Sequence, residues 1–260
     1  MRNAILAGNE SGVGKWIKDF LIKENWNVIT TSRKESALNE QTFFCDFSSG
    51  QSVDKSTGQI LETMEDWDLL IISIGVLNPI GPIKDLDLNV WVDSINVNFI
   101  NQIRFIVNML NTSLKKSGRT VLTFAGGGTN SATPNFFAYT VSKIALLKAT
   151  ELLAYENPDT KFISIGTGWM NTPIHDQTLK SDKIANSETF LETMRRISEK
   201  DFVEPITLIQ FIKWTLSQPI EMVSGRNFSI NNDPWENEIY ITKILSDPNS
   251  YKLRRFNNDK

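Results

Sequence analysis

Short apolar runs alternate with longer amphipathic stretches along most of the chain. Residues 3–7 read as a buried strand, and 13–23 as a helix with Trp16, Ile17, Phe20 and Leu21 on one face. Residues 26–31 and 42–45 follow as strands, with a weaker helix over 53–64. Residues 69–74 are almost continuously apolar, as expected of a central parallel strand covered on both faces. A long helical stretch runs over 86–114. Strands at 120–124, 162–165 and 227–230 then alternate with helices at 137–155 and 204–217, the second carrying Pro205 in its first turn.

Strand–helix alternation of this kind implies right-handed crossovers and a parallel sheet. The expectation is one doubly wound α/β domain over 1–260, of Rossmann type, with about seven strands and helices on both faces. Residues 171–200 form a long polar stretch without clear periodicity, and loops of that length are often lids or binding loops. A C-terminal tail is expected from about residue 233.

Composition narrows the function classes. Hydrophobic residues make up 40% and charged residues 22%, which suits a globular protein. The net charge of −3 argues against a nucleic-acid or anionic-membrane surface, since both need a basic field. Lys252, Arg254 and Arg255 are a local basic cluster, which fits a solvated tail. The single cysteine, Cys45, and the single histidine, His175, exclude an intrachain disulfide and a multi-histidine zinc site, so no metal is expected. His175 is expected at the surface. No apolar run approaches the roughly 20 residues of a membrane span, and a cytoplasmic protein is expected.

Chemistry enters at the first strand–helix turn, Ala7-Gly8-Asn9-Glu10-Ser11-Gly12-Val13-Gly14. Gly8 permits a sharp exit from the strand, Gly12 a close approach of backbone to a pyrophosphate, and Gly14 tight helix–sheet packing. The helix N-terminus would then face the phosphates, with Ser11 and Val13 beside them. The second strand leads into Thr30-Thr31-Ser32-Arg33-Lys34 rather than an acidic residue. Arg33 could hold a 2′-phosphate in bidentate fashion, which favours NADP(H) over NAD(H). Asp46, after the third strand, is placed to reach an adenine edge, although Asp is also a common turn residue.

A second constellation is Tyr139-Thr140-Val141-Ser142-Lys143 at a helix start. Positions i and i+4 share a helical face, so the ammonium can stand near the phenol and lower its pKa, making it an acid or base near neutral pH.

With these two motifs the chain resembles the short-chain dehydrogenase/reductase family over nearly its whole length. The resemblance implies an oxidoreductase that transfers hydride between a nicotinamide cofactor and a carbonyl or secondary alcohol. Tyr139 would exchange the proton with substrate oxygen, and Lys143 would assist it and bind the nicotinamide ribose. The family's active-site Asn falls at Val97-Asn98-Phe99, where its backbone carbonyl would support a proton relay. Gly75 would lie near the adenosine ribose. In Thr167-Gly168-Trp169-Met170-Asn171-Thr172, the residues Gly168, Met170 and Thr172 would meet the nicotinamide amide. Trp169, Met170 and His175 open the polar stretch and could line the substrate cleft, although Trp169 could equally pack on the nicotinamide side wall or in the core.

Two departures stand out. The family's catalytic Ser lies thirteen residues before its Tyr, and here that place holds Gly126, in Gly126-Gly127-Gly128-Thr129. Backbone N–H groups could replace the hydroxyl, Thr129 or Ser131 could swing in, or catalysis could be lost. The last case would leave a cofactor-binding sensor or scaffold. After the fourth strand, Ile72-Ser73-Ile74-Gly75 replaces the family's Asn-rich sequence, with Ser73 standing for a structural Asn. The ending Asn231-Asn232-Asp233-Pro234-Trp235, together with the triple glycine, resembles family members of sugar and surface-polysaccharide chemistry. The family resemblance also implies a homodimer or homotetramer.

Overall fold

The computed structural model describes residues 1–10 and 12–255. The strands are β1 (Asn3–Ala7), β2 (Asn27–Ser32), β3 (Thr42–Phe44), β4 (Leu69–Ile72), β5 (Arg119–Phe124), β6 (Thr160–Gly166) and β7 (Arg226–Ser229). They form one sheet, ordered β3-β2-β1-β4-β5-β6-β7, with every neighbouring pair parallel. The helices are α1 (Gly12–Lys23), α2 (Gly50–Thr63), α3 (Leu88–Ile95), α4 (Asn101–Thr112), α5 (Phe137–Glu156), α6 (His175–Leu179), α7 (Glu188–Glu199), α8 (Pro205–Ser217), α9 (Ile220–Val223) and α10 (Glu238–Leu245). The doubly wound α/β architecture is the one expected.

Strand alternation splits the core into two layers. Ala4 and Leu6 of β1 face a cluster with Ile17 and Leu21 of α1 and Phe211 and Ile212 of α8. Ile5 and Ala7 face the opposite cluster, with Val53 and Ile60 of α2 and Phe105, Ile106 and Met109 of α4. Leu69 to Ile72 are wholly buried, which explains their unbroken apolar run. Each such side chain contributes about 1.5–3 kcal/mol on burial.

Three expectations need correction. The stretch over 86–114 is not one helix, because a π-helical turn, Asn96–Ile100, separates α3 from α4. Residues 171–200 are not irregular but carry α6 and α7. Helix α7 starts at a Ser187 cap, whose hydroxyl accepts from Phe190 N–H, and stops at Lys200 in the left-handed region (φ 54°). The segment beyond 233 holds α10, capped by Asn237. Among the described residues, no helix is long and apolar enough to cross a membrane.

Candidate active site

Strand order reverses between β1 and β4, and such a switch opens a crevice beyond the strands' carboxyl ends. A cleft lined by Val13, Gly75, Tyr139, Lys143 and Thr172 lies there.

The glycine turn forms one end. Gly8 has φ +91°, and a Cβ on Gly14 would sit 1.8 Å from the Gly8 carbonyl oxygen, so a side chain at 14 would force the turn apart. Ser73 Oγ donates to the Gly8 and Ala7 carbonyls at 2.7 and 3.0 Å, tying the turn to β4. A Cβ on Gly12 would meet Thr172 Cγ2 at 3.0 Å, so the turn adjoins the loop after β6. Ser11 lies outside the described residues. Val13, Arg33, Lys34 and Gly75 line the cleft, with Arg33 and Lys34 exposed. A Cβ on Gly75 would find nothing nearer than 3.7 Å, so the wall is open there. These features fit a dinucleotide cofactor: a bare turn, a helix N-terminus and a cationic rim. Asp46 is not on the cleft wall, and its Oδ1 accepts from Ser48 N–H at 2.9 Å.

Helix α5 supplies the other end. Tyr139 and Lys143 both line the cleft one turn apart, with Lys143 Nζ 5.8 Å from the Tyr139 ring centroid. Tyr139 packs with Phe136 and Ile174 against the buried cluster of Leu77, Ile80 and Ile184. Lys143 is buried, and its ammonium donates to the Ile74 carbonyl at 3.4 Å, leaving N–H bonds for a ligand. The expected lowering of the phenol pKa is absent. Burial pushes the Tyr139 phenol up to about 12 and Lys143 down to about 8. Both shifts oppose charge in a poorly solvated wall, and the lysine does not offset the phenol's loss of water.

Asn98 is fully buried behind the cleft wall, in the π-helical turn. Its side chain accepts from Val76 N–H at 2.9 Å and donates to the Val76 carbonyl at 2.8 Å. It thereby fixes the chain just beyond Gly75. Gly126 and Thr129 line the cleft, and a Cβ on Gly126 would stand 2.6 Å from Tyr139 Cε1 and 2.9 Å from its hydroxyl oxygen. The glycine therefore touches the Tyr139 ring.

Gly168 (φ +67°), Met170 and Thr172 complete the wall after β6. His175 is not a surface residue. It is half-buried, stacked on Trp169 at a centroid distance of 4.0 Å, with Nε2 2.9 Å from the Met170 carbonyl oxygen. That nitrogen must carry the proton, since a carbonyl only accepts. Burial lowers the His175 pKa. Trp169 lines the cleft rather than the core.

Sequence reasoning missed two polar groups on the cleft wall. Thr133 and Thr140 share a hydroxyl–hydroxyl hydrogen bond beneath the glycine loop. Glu10, from the glycine turn, hydrogen-bonds Ser32 and pairs with Lys34. The position of Thr140 next to Tyr139 was a usable signal for the first; the second depends on a contact between two loops.

Comparison with known proteins gives consistent results. The family model for short chain dehydrogenases matches residues 2–183. An uncharacterised oxidoreductase of Schizosaccharomyces pombe is 23% identical in an alignment of 165 positions that covers 56% of this chain and 66% of that protein. A short chain dehydrogenase/reductase structure from Saccharomyces cerevisiae superposes with a TM-score of 0.78 at 22% identity, covering 90% of this chain and 97% of that one. An actinorhodin polyketide ketoreductase solved with NADPH gives 0.75 at 18% identity, covering 89% and 98%. At these identities the two structures establish shared fold alone.

Proposed function

The chain belongs to the short chain dehydrogenase family, and on that premise we propose that it transfers hydride between NADP(H) and a carbonyl or secondary alcohol. The observation that carries this is the placement of Tyr139 and Lys143 on one face of α5, on the wall of the cleft that begins at the glycine turn. A nicotinamide cofactor held at this site would supply or accept the hydride. Tyr139 holds a proton at its hydroxyl oxygen, in the protonated form that reduction of a carbonyl requires. Lys143 presents N–H donors to ribose hydroxyls and, with its pKa near 8, keeps positive charge beside the phenol ring at neutral pH. Asn98 keeps the wall rigid next to both.

The substrate oxygen is held by the loop from Gly126 to Thr129, through backbone N–H groups that a glycine-rich segment can bring close. Arg33, exposed on the cleft rim, supports NADP(H) as the preferred cofactor. The polar rim, with Asn232, Asp233 and Glu192 on the cleft wall, suits a hydroxylated substrate of the sugar class. Exposed Ile100, Val107, Phe137, Val141 and Leu152, in and around α4 and α5, suit burial in a homodimer or homotetramer.

The test is NADPH consumption by the purified chain over a panel of aliphatic, aromatic and sugar carbonyls, paired with cofactor titration. Turnover on at least one member supports the enzyme. Tight NADPH binding with no turnover on any of them would replace it with a cofactor sensor.

A further inference from the structure

The end of β2 carries no acid of its own, yet a carboxylate stands there. Ser32 is buried at the strand end, and its hydroxyl donates to one carboxylate oxygen of Glu10, from the glycine turn. The other Glu10 oxygen pairs with Lys34 Nζ at 3.1 Å. Lys34 N–H donates in turn to Ser32 Oγ at 2.8 Å, closing a small ring of polar contacts. The preceding residue reinforces the tie, since Asn9 Nδ2 donates to Thr30 Oγ1 at 3.0 Å. Two consecutive residues thus staple the turn to β2. Glu10, Arg33 and Lys34 share the cleft wall.

A carboxylate at this point has two opposite effects on a dinucleotide. It accepts hydrogen bonds from a free 2′,3′-diol, as an acid at the end of this strand would. It also repels a dianionic 2′-phosphate and occupies the groups that would otherwise bind one. We infer that Glu10 sets the choice between phosphorylated and unphosphorylated nicotinamide cofactors, by holding Lys34 and Ser32 where a 2′-phosphate would engage them. This inference rests on the proposed cofactor site. Arg33 meets the phosphate directly, whereas Lys34 meets it only after leaving Glu10. The enzyme therefore accepts NAD(H) alongside NADP(H) and discriminates less than two adjacent cations would imply.

The experiment titrates the full chain with NADPH and with NADH, in wild type, Glu10→Gln and Lys34→Gln, with melting temperature measured for each. Glu10→Gln keeps a hydrogen-bonding side chain at Ser32 and removes only the charge. It is expected to tighten NADPH about tenfold, the scale of one screened charge interaction, and to weaken NADH or leave it within about threefold. Lys34→Gln is expected to move the ratio of the two affinities the other way. Glu10→Ala provides a second removal of the charge should the Gln variant melt early, with the same direction expected. A merely structural Glu10 would move both cofactors equally, so an affinity ratio unchanged within twofold in both Glu10 variants overturns the inference and leaves the proposed function standing. Failure of wild type to bind either cofactor overturns both.

Discussion

Restoring the family's serine at Gly126 is expected to damage this site. A side chain there would place its Cβ 2.6 Å from Tyr139 Cε1, 2.8 Å from Cζ and 2.9 Å from the hydroxyl oxygen. All three distances lie below ordinary carbon contact, so one partner must move. The glycine backbone is held just beyond β5, where Ala125 N–H donates to the Ile165 carbonyl at 2.9 Å. The ring is the freer partner, and it is the proposed proton donor. Overpacking of this kind costs about 1–3 kcal/mol. At roughly 2–4 °C per kcal/mol for a chain of this size, the melting temperature should fall by several degrees. A displacement near 1 Å at a reacting group costs on the order of 100-fold in rate. The assay compares kcat and cofactor affinity in wild type, Gly126→Ala and Gly126→Ser. Alanine carries the clash without the hydroxyl. Both variants should lose about 10- to 100-fold in kcat with cofactor affinity held within threefold. A rise in kcat in the serine variant, by tenfold or more, would refute the reasoning and show that the hydroxyl had simply been missing.

Three further outcomes are expected. Lys143 has a folded pKa near 8 against 10.5 for the ordinary side chain, so its penalty for carrying charge is largest below pH 8 and is relieved as pH rises towards 10.5. Relative to Lys143→Met, wild-type stability should therefore gain about 2 kcal/mol between pH 7.5 and 9.5 in denaturant titrations; a flat difference would count against that burial. Ser73→Ala removes both bonds to the turn carbonyls and should cost about 1–2 kcal/mol of stability while weakening NADPH several-fold, with unchanged affinity as the contrary result. Burial pushes the Cys45 thiol up to about 12, so alkylation at pH 8 should be negligible in the native chain and rapid in denaturant; fast native labelling would contradict its place in the core.

The sheet was legible because its central strands obey one simple rule. Leu69 to Ile72 are buried on both sides, and their composition shows it directly. The break between α3 and α4 was not legible, because no glycine or proline marks it. There the π-helical turn holds Asn98, whose side chain bonds Val76 from another segment. Helix α7 was hidden for a different reason. Leu191, Met194 and Ile197 point outward, and buried Thr193 faces inward, so its apolar positions do not mark the core side. It is capped by Ser187, and Arg195 and Arg196 pair with Glu192 along it, contacts that periodicity does not report. The Tyr139–Lys143 spacing was readable as shared helical geometry. Its electrostatics were not, since the raised phenol pKa depends on Leu77, Ile80 and Ile184 packing around the ring.

The central claim is that Tyr139 gives or takes the proton during hydride transfer. It is tested most directly by single-turnover reduction of a panel carbonyl, comparing wild type with Tyr139→Phe at saturating NADPH. Removal of a general acid predicts a fall of about 10²- to 10⁴-fold in the hydride-transfer rate, with NADPH affinity unchanged within twofold. A rate within fivefold of wild type would place the proton elsewhere and contradict the account.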